Sequence, residues 1–116
     1  MSVHVAVDIG ASSGRVIVAE YEDNHFEVSE VHRFKNGFGH DRWNIDDLFD
    51  NILKGLAKVK ERGIAECTLG IDTWAVDYVL VKDGEKLGHP IAYRDSRTQK
   101  GVENVFAKIS KEDLYS

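Results

Sequence analysis

Val3, Val5, Val7 and Ile9 alternate with His4, Ala6 and Asp8 at the start of the chain. A period of two predicts a β-strand with one strongly apolar face. The small residues Gly10-Ala11-Ser12-Ser13-Gly14 follow, and Val16-Ile17-Val18-Ala19 is again strand-favouring, so the tract between them reads as a hairpin turn. Beyond a turn at Glu22-Asp23-Asn24, the spacing of Phe26, Val28, Val31 and Phe34 through polar residues predicts a third strand, completing a meander.

The period then changes. After a glycine-containing loop over Phe38 to Arg42, Ile45, Leu48, Phe49, Ile52, Leu53, Leu56 and Val59 recur at helical spacing. Asn44 or Asp46 can cap this helix. Asp46, Asp47 and Asp50 near its start and Lys58, Lys60 and Arg62 near its end suit the helix dipole, with Gly63 as the stop. Ile64 to Ile71 predicts a return strand and Val76 to Val81 another, with a tight turn at Asp83-Gly84. Val102, Val105, Phe106 and Ile109 predict a helix over Gly101 to Ile109, and Ser110 with Asp113 resembles the start of a further one. The order β-β-β-α-β-β-α makes an α/β domain: a mixed sheet with flanking helices, in which a crossover links the meander to the strand after the helix.

Composition narrows the class without naming it. The 116 residues suffice for one domain, and 42% hydrophobic with 30% charged residues places the chain among folded globular proteins. Twenty Asp and Glu against fifteen Lys and Arg give a net charge of −5, and no basic block runs along one face, which argues against a nucleic-acid partner. The single cysteine, Cys67, precludes an intramolecular disulfide and is expected as a small buried hydrophobe beside Leu69. No run approaches the roughly 20 apolar residues of a membrane span. Asp8 interrupts any signal-peptide pattern, so a cytoplasmic location without a membrane partner is expected.

Three stretches carry candidate chemistry. In Asp8-Ile9-Gly10-Ala11-Ser12-Ser13-Gly14-Arg15, a carboxylate at a strand end precedes a turn of tiny residues, which suits a metal-bound phosphate. The same tract also makes an ordinary hairpin turn, and it lacks the Gly-Lys-Ser/Thr into a helix that a Walker loop requires. Arg15 has two readings, one toward phosphate and one as a stem laid on the sheet. In Gly70-Ile71-Asp72-Thr73-Trp74-Ala75-Val76-Asp77-Tyr78, an aromatic face and two carboxylates form a mixture that sugars favour. The competing reading makes Trp74 a core aromatic and Asp72 and Asp77 turn formers. Ala92-Tyr93-Arg94-Asp95-Ser96-Arg97-Thr98 reads, unaided, as a solvated salt-bridged loop.

In order along the chain, Val7 to Arg15, His32-Arg33-Phe34, Gly70 to Trp74 with Val76-Asp77, and Ala92 to Thr98 resemble the FGGY carbohydrate kinases. Within that family they are nearest to the branch acting on L-rhamnulose, and the resemblance covers nearly the whole chain. It implies the actin, hexokinase and Hsp70-like (ribonuclease H-like) ATPase fold, with residues 1–116 as an incomplete N-terminal domain. It also implies ATP and Mg²⁺ as cofactors and a ketose as substrate. Ala11, Ser12, Ser13, Gly14 and Arg15 are then similar to the loop that holds ATP phosphates, and Asp8 to the carboxylate that orients Mg²⁺. Asp72, Trp74, Ala75 and Asp77 resemble the floor of the sugar pocket. Ala75 departs from the family pattern, which has glycine there, so its methyl changes the pocket's shape. Tyr93 to Thr98 follows the pocket, with no individual contact assigned. The proton-accepting Asp, the adenosine pocket and a second phosphate loop are expected beyond Ser116, so no carboxylate here takes the role of base. The chain is thus expected to be inactive alone, to partner the remainder of the kinase polypeptide, and to self-associate through uncovered surface. A binding module that kept the fold without catalysis is the alternative; an actin-like or chaperone-like ATPase is disfavoured by Trp74 and the Tyr93-Arg94-Asp95 cluster.

Overall fold

The computed structural model describes residues 1–36, 38–39, 42–93 and 97–115. Strands β1 (Ser2–Ile9), β2 (Ser13–Glu22) and β3 (His25–Lys35) form the expected antiparallel meander. Asp23 and Asn24 both take positive φ, 52° and 60°, as a two-residue hairpin turn that matches strand twist requires. Short strands β4 (Phe38–Gly39) and β5 (Arg42–Trp43) pair with each other and lead into α1 (Ile45–Glu61). After the helix, β6 (Thr68–Asp72) adds to β1 in parallel, giving the mixed sheet order β3-β2-β1-β6.

Asn44 is the N-cap of α1, its side chain accepting from the Asp47 N–H at 3.1 Å, and Gly63 leaves the helix at φ +82°. The apolar stripe of α1 lies on the sheet. Leu48 and Val59 are buried with Val5, Val7 and Ile9 of β1, Val16 and Val18 of β2, and Phe34 of β3, while Ile45, Ile52 and Leu56 pack against them. Gly55 lets the helix approach closely, because a Cβ there would stand 2.3 Å from Val16 Cγ2. A polar link adds to this packing: His32 on β3 bonds Asn51 Oδ1 through Nε2 at 3.1 Å and accepts from Lys58 Nζ through Nδ1 at 2.9 Å. On the solvent side of β3, Glu30 holds the Arg33 guanidinium above its ordinary pKa, by hydrogen bonding first and by charge second.

Several expectations are corrected beyond α1. The return strand begins at Thr68 rather than Ile64, since residues 64–67 are spent leaving the helix stop. Val76 to Val81 is not a strand. Val76 sits at φ +70°, which breaks extended backbone, and only Val81–Lys82 (β7) pairs, with Glu85–Lys86 (β8), across the expected turn at Asp83-Gly84. Cys67 is exposed rather than buried, because the helix that covers β2 and β3 does not extend over β6. For the same reason Leu69 and Ile71, in register with buried Val5 and Val7, remain 49% and 58% exposed. Phe49 and Leu53 of α1 also face outward. Helix α2 runs over Arg97–Phe106, ahead of the predicted span, and α3 over Lys111–Tyr115, with Ser110 Oγ accepting from the Asp113 N–H. No helix of the described residues is long and apolar enough to cross a membrane.

Candidate functional site

The turn between β1 and β2 is a tied structure. The Gly10 N–H donates to the Ser13 carbonyl at 2.9 Å, and Asn36, just past β3, donates from its side chain to the Gly10 carbonyl at 2.9 Å and from its backbone to that of Ser12 at 3.3 Å. Ser12 is exposed, and Ala11 and Ser13 are half-buried. Gly14 is required by packing, since a Cβ would lie 2.3 Å from the Phe34 ring. Phe34 of the His32-Arg33-Phe34 motif therefore supports the turn from behind.

Arg15 takes the inward direction. Its guanidinium donates to Asp8 Oδ2 at 2.6 Å and to Ser13 Oγ at 3.1 Å, across the register pair Asp8–Arg15, and its Nε is buried without a partner. Asp8 is also the register partner of Asp72 on parallel β6, so two carboxylates stand side by side at the carboxyl ends of β1 and β6. That end of an open α/β sheet is where ligands are placed. The donor set fits Mg²⁺, which takes one or two carboxylates and completes its shell with water and phosphate. Among the described residues no group of three metal-binding side chains is found.

The second stretch follows β6 and packs on the α1 side of this edge. Ile9, Leu48, Thr73, Trp74, Asp77 and Tyr78 line an open, mainly apolar cleft of about 290 Å³. Trp74 is half-buried and stacks on Trp43, with ring centroids 3.9 Å apart and planes 22° from parallel. Trp43 is fully buried, donates its indole N–H to Asp77 Oδ2, and has Tyr93 tilted against it at 6.4 Å. Its backbone N–H donates to the Pro90 carbonyl at 3.0 Å, and Arg42 donates to that of His89 at 2.7 Å.

The structure thus brings together Asp8, Arg15 and Ser13 of the turn, and the neighbouring end of β6 at Asp72, while Trp74 packs with Ile9 on the α1 side of the sheet. It leaves Ala75 exposed at the apex of the following loop and commits one oxygen of Asp77 to Trp43. Arg94, Asp95 and Ser96 lie outside the described residues, as do the side chains of Arg97 and Thr98. Sequence reasoning missed Asn36 and Trp43. Asn36 carries no signal of its own; Trp43, directly before a helix cap, was the visible one.

No family model matches the chain. Among curated proteins it is similar to a rhamnulokinase of Ligilactobacillus salivarius, 58% identical over 120 residues that cover 99% of this chain and 25% of that protein. A rhamnulokinase of Lactiplantibacillus plantarum is 51% identical over the same shares, and one of Bacillus subtilis 47% identical over 97% of this chain and 24% of its own length. Over nearly its whole length this chain is similar to rhamnulokinases. It spans about a quarter of the length of the rhamnulokinases it matches, and the likeness runs through both the 10–14 turn and the 72–77 segment.

Proposed function

We propose that this chain is N-terminal kinase domain of the FGGY type, incomplete within 1–116, and that the intact protein phosphorylates a ketose with ATP. The substrate that fits best is L-rhamnulose, giving L-rhamnulose 1-phosphate in rhamnose breakdown. One observation carries the reading: the small-residue turn and the segment that leads to Trp74 leave the adjacent carboxyl ends of β1 and β6, where Asp8 and Asp72 share a row, in a chain similar nearly throughout to rhamnulokinases. The mixed sheet with its crossover helix is in keeping with an actin, hexokinase and Hsp70-like fold.

In this reading the 11–15 turn receives the phosphates, through backbone N–H groups and the hydroxyls of Ser12 and Ser13. Arg15, drawn back onto Asp8, is near enough to exchange that carboxylate for phosphate oxygens. Asp8 would then hold the hydration shell of the metal. Bound Mg²⁺ and ATP supply the phosphoryl group and neutralise its charge. The Asp72 to Asp77 segment forms the sugar floor, with Trp74 offering a ring face to C–H groups and Asp72 accepting from hydroxyls. No carboxylate here is assigned as base, so the chain alone is inactive. Its uncovered apolar faces seat the remaining polypeptide, and the reading carries a cytoplasmic location with it.

The test is an ADP-release assay on the intact gene product with ATP, Mg²⁺ and a panel of ketoses, beside the 116-residue chain. Turnover on L-rhamnulose with a silent short chain is expected. Turnover on a different ketose would move the substrate assignment to the Ala75 pocket, and none on any ketose would favour a binding module without catalysis.

A further inference from the structure

Asp77 was read from sequence as a group facing the sugar, yet the structure gives it other work. The Trp43 ring is fully buried, so its N–H must find an acceptor inside the protein, and that acceptor is Asp77 Oδ2. Trp43 is itself fixed: it precedes the N-cap of α1, and its backbone N–H is held by Pro90. Trp74 and Asp77 lie on a segment with no strand ladder, separated by Ala75 and by Val76 at φ +70°. Both ends of this four-residue loop are therefore fastened to one indole, Trp74 by stacking at 3.9 Å and Asp77 by a hydrogen bond. A β-branched residue with positive φ persists only where its surroundings over-determine it, and this double attachment does so.

We propose that Asp77 is a positioning residue: through Trp43 it clamps the Trp74–Asp77 loop and sets the plane of Trp74 and the height of Ala75 beneath the sugar. This rests on the kinase reading, which makes Trp74 part of the sugar floor. A carboxylate bonding a sugar hydroxyl directly would act independently of Trp43; a clamp acts only through it.

Two measurements decide the matter. In the 116-residue chain Trp43 and Trp74 are the only two tryptophans, so the exciton couplet near 220–230 nm, taken as the difference from a Trp74→Phe spectrum that carries the same backbone signal, reports their stacking. The exciton signal should be lost in Asp77→Ala and kept in Asp77→Asn, whose amide oxygen still accepts from the indole. In the intact gene product, Asp77→Ala and Trp43→Phe should each raise the ketose KM about tenfold, the size expected for a hydrogen bond to a charged acceptor, with kcat changed less. The double variant should be no worse than either single one, and Asp77→Asn should stay near wild type. Multiplying effects in the double variant, an unchanged KM in Trp43→Phe, or an exciton signal indifferent to Asp77→Ala would overturn the clamp. If the intact protein turns over no ketose, the kinase reading fails while the dichroism still decides whether Asp77 orients Trp74.

Discussion

Gly55 and Gly101 are both glycines inside helices, and their surroundings predict opposite responses to the same methyl group. An added Cβ at Gly55 meets Val16 at 2.3 Å, whereas at Gly101 nothing lies within 4 Å. Alanine is the better helix former by about 1 kcal/mol at either place. At Gly101 that gain stands alone, so Gly101→Ala should raise helicity in α2, read by far-ultraviolet circular dichroism. At Gly55 overpacking of roughly 1–3 kcal/mol opposes and exceeds it. Gly55→Ala should therefore lower the urea midpoint of the chain; an unchanged or higher midpoint would show that α1 lifts off β2 without cost. Val76 gives a third case. Relief of its positive φ, of order 1–3 kcal/mol, exceeds the added chain entropy of glycine, roughly 0.5–1 kcal/mol. Val76→Gly should stabilise the 74–77 loop, seen as slower amide exchange there, and faster exchange would show that no strain is held. None of this was legible locally, since the partner of Gly55 lies on β2 and the restraint on Val76 comes from Trp43.

At the level of elements, legibility followed how far each one is determined by its own residues. The meander was readable because its alternation and its Asp23-Asn24 turn are local, and α1 because cap, charge pattern and stripe lie within one segment. Asn44→Ala removes the acceptor for the Asp47 N–H and should cost about 1 kcal/mol. Asp46→Ala, offered by the sequence as the other cap, should cost much less, and equal losses of thermal midpoint would contradict the assignment. Val76 to Val81 was misread, all but Val81 itself, because Val76, Tyr78, Val79, Leu80 and Val81 look like a strand in isolation. A strand needs a neighbour to pair with, and here Asp77 is drawn to Trp43 instead. β5 went unseen for the converse reason: two residues have no periodicity. The two stretches of the candidate site were readable as motifs, the turn after β1 and the segment after β6. That both leave neighbouring strand ends depends on the Asp8–Asp72 row, which only the parallel pairing supplies.

Taken whole, the molecule exposes more than a self-sufficient fold of its mass should. Its accessible surface is 8430 Å², against about 6,400 Å² for a compact monomer of that size, and its radius of gyration of 19.0 Å exceeds the roughly 13 Å usual near 100 residues. Part of the exposed surface is apolar. Leu69 and Ile71 occupy the same sheet face as buried Val5 and Val7 with no helix above them, and Val102, Val105, Phe106, Ile109 and Leu114 are 39–45% exposed. β6 also ends the sheet with an unpaired edge among the described residues, and such an edge pairs readily with another chain. The 116-residue chain should therefore associate as its concentration rises, seen as increasing weight-average mass in sedimentation velocity. Leu69→Lys with Ile71→Lys should suppress this while leaving the Val5–Val7 core folded, because both side chains are already half in water. In an intact protein whose further segments cover this face, the same pair would bury two unpaired charges and should lower stability by several kcal/mol. Opposite signs in the two settings would identify the β6 face as a seat for the rest of the polypeptide; a short chain that stays monomeric at high concentration, or an intact protein indifferent to the lysines, would argue that the face is solvated in both.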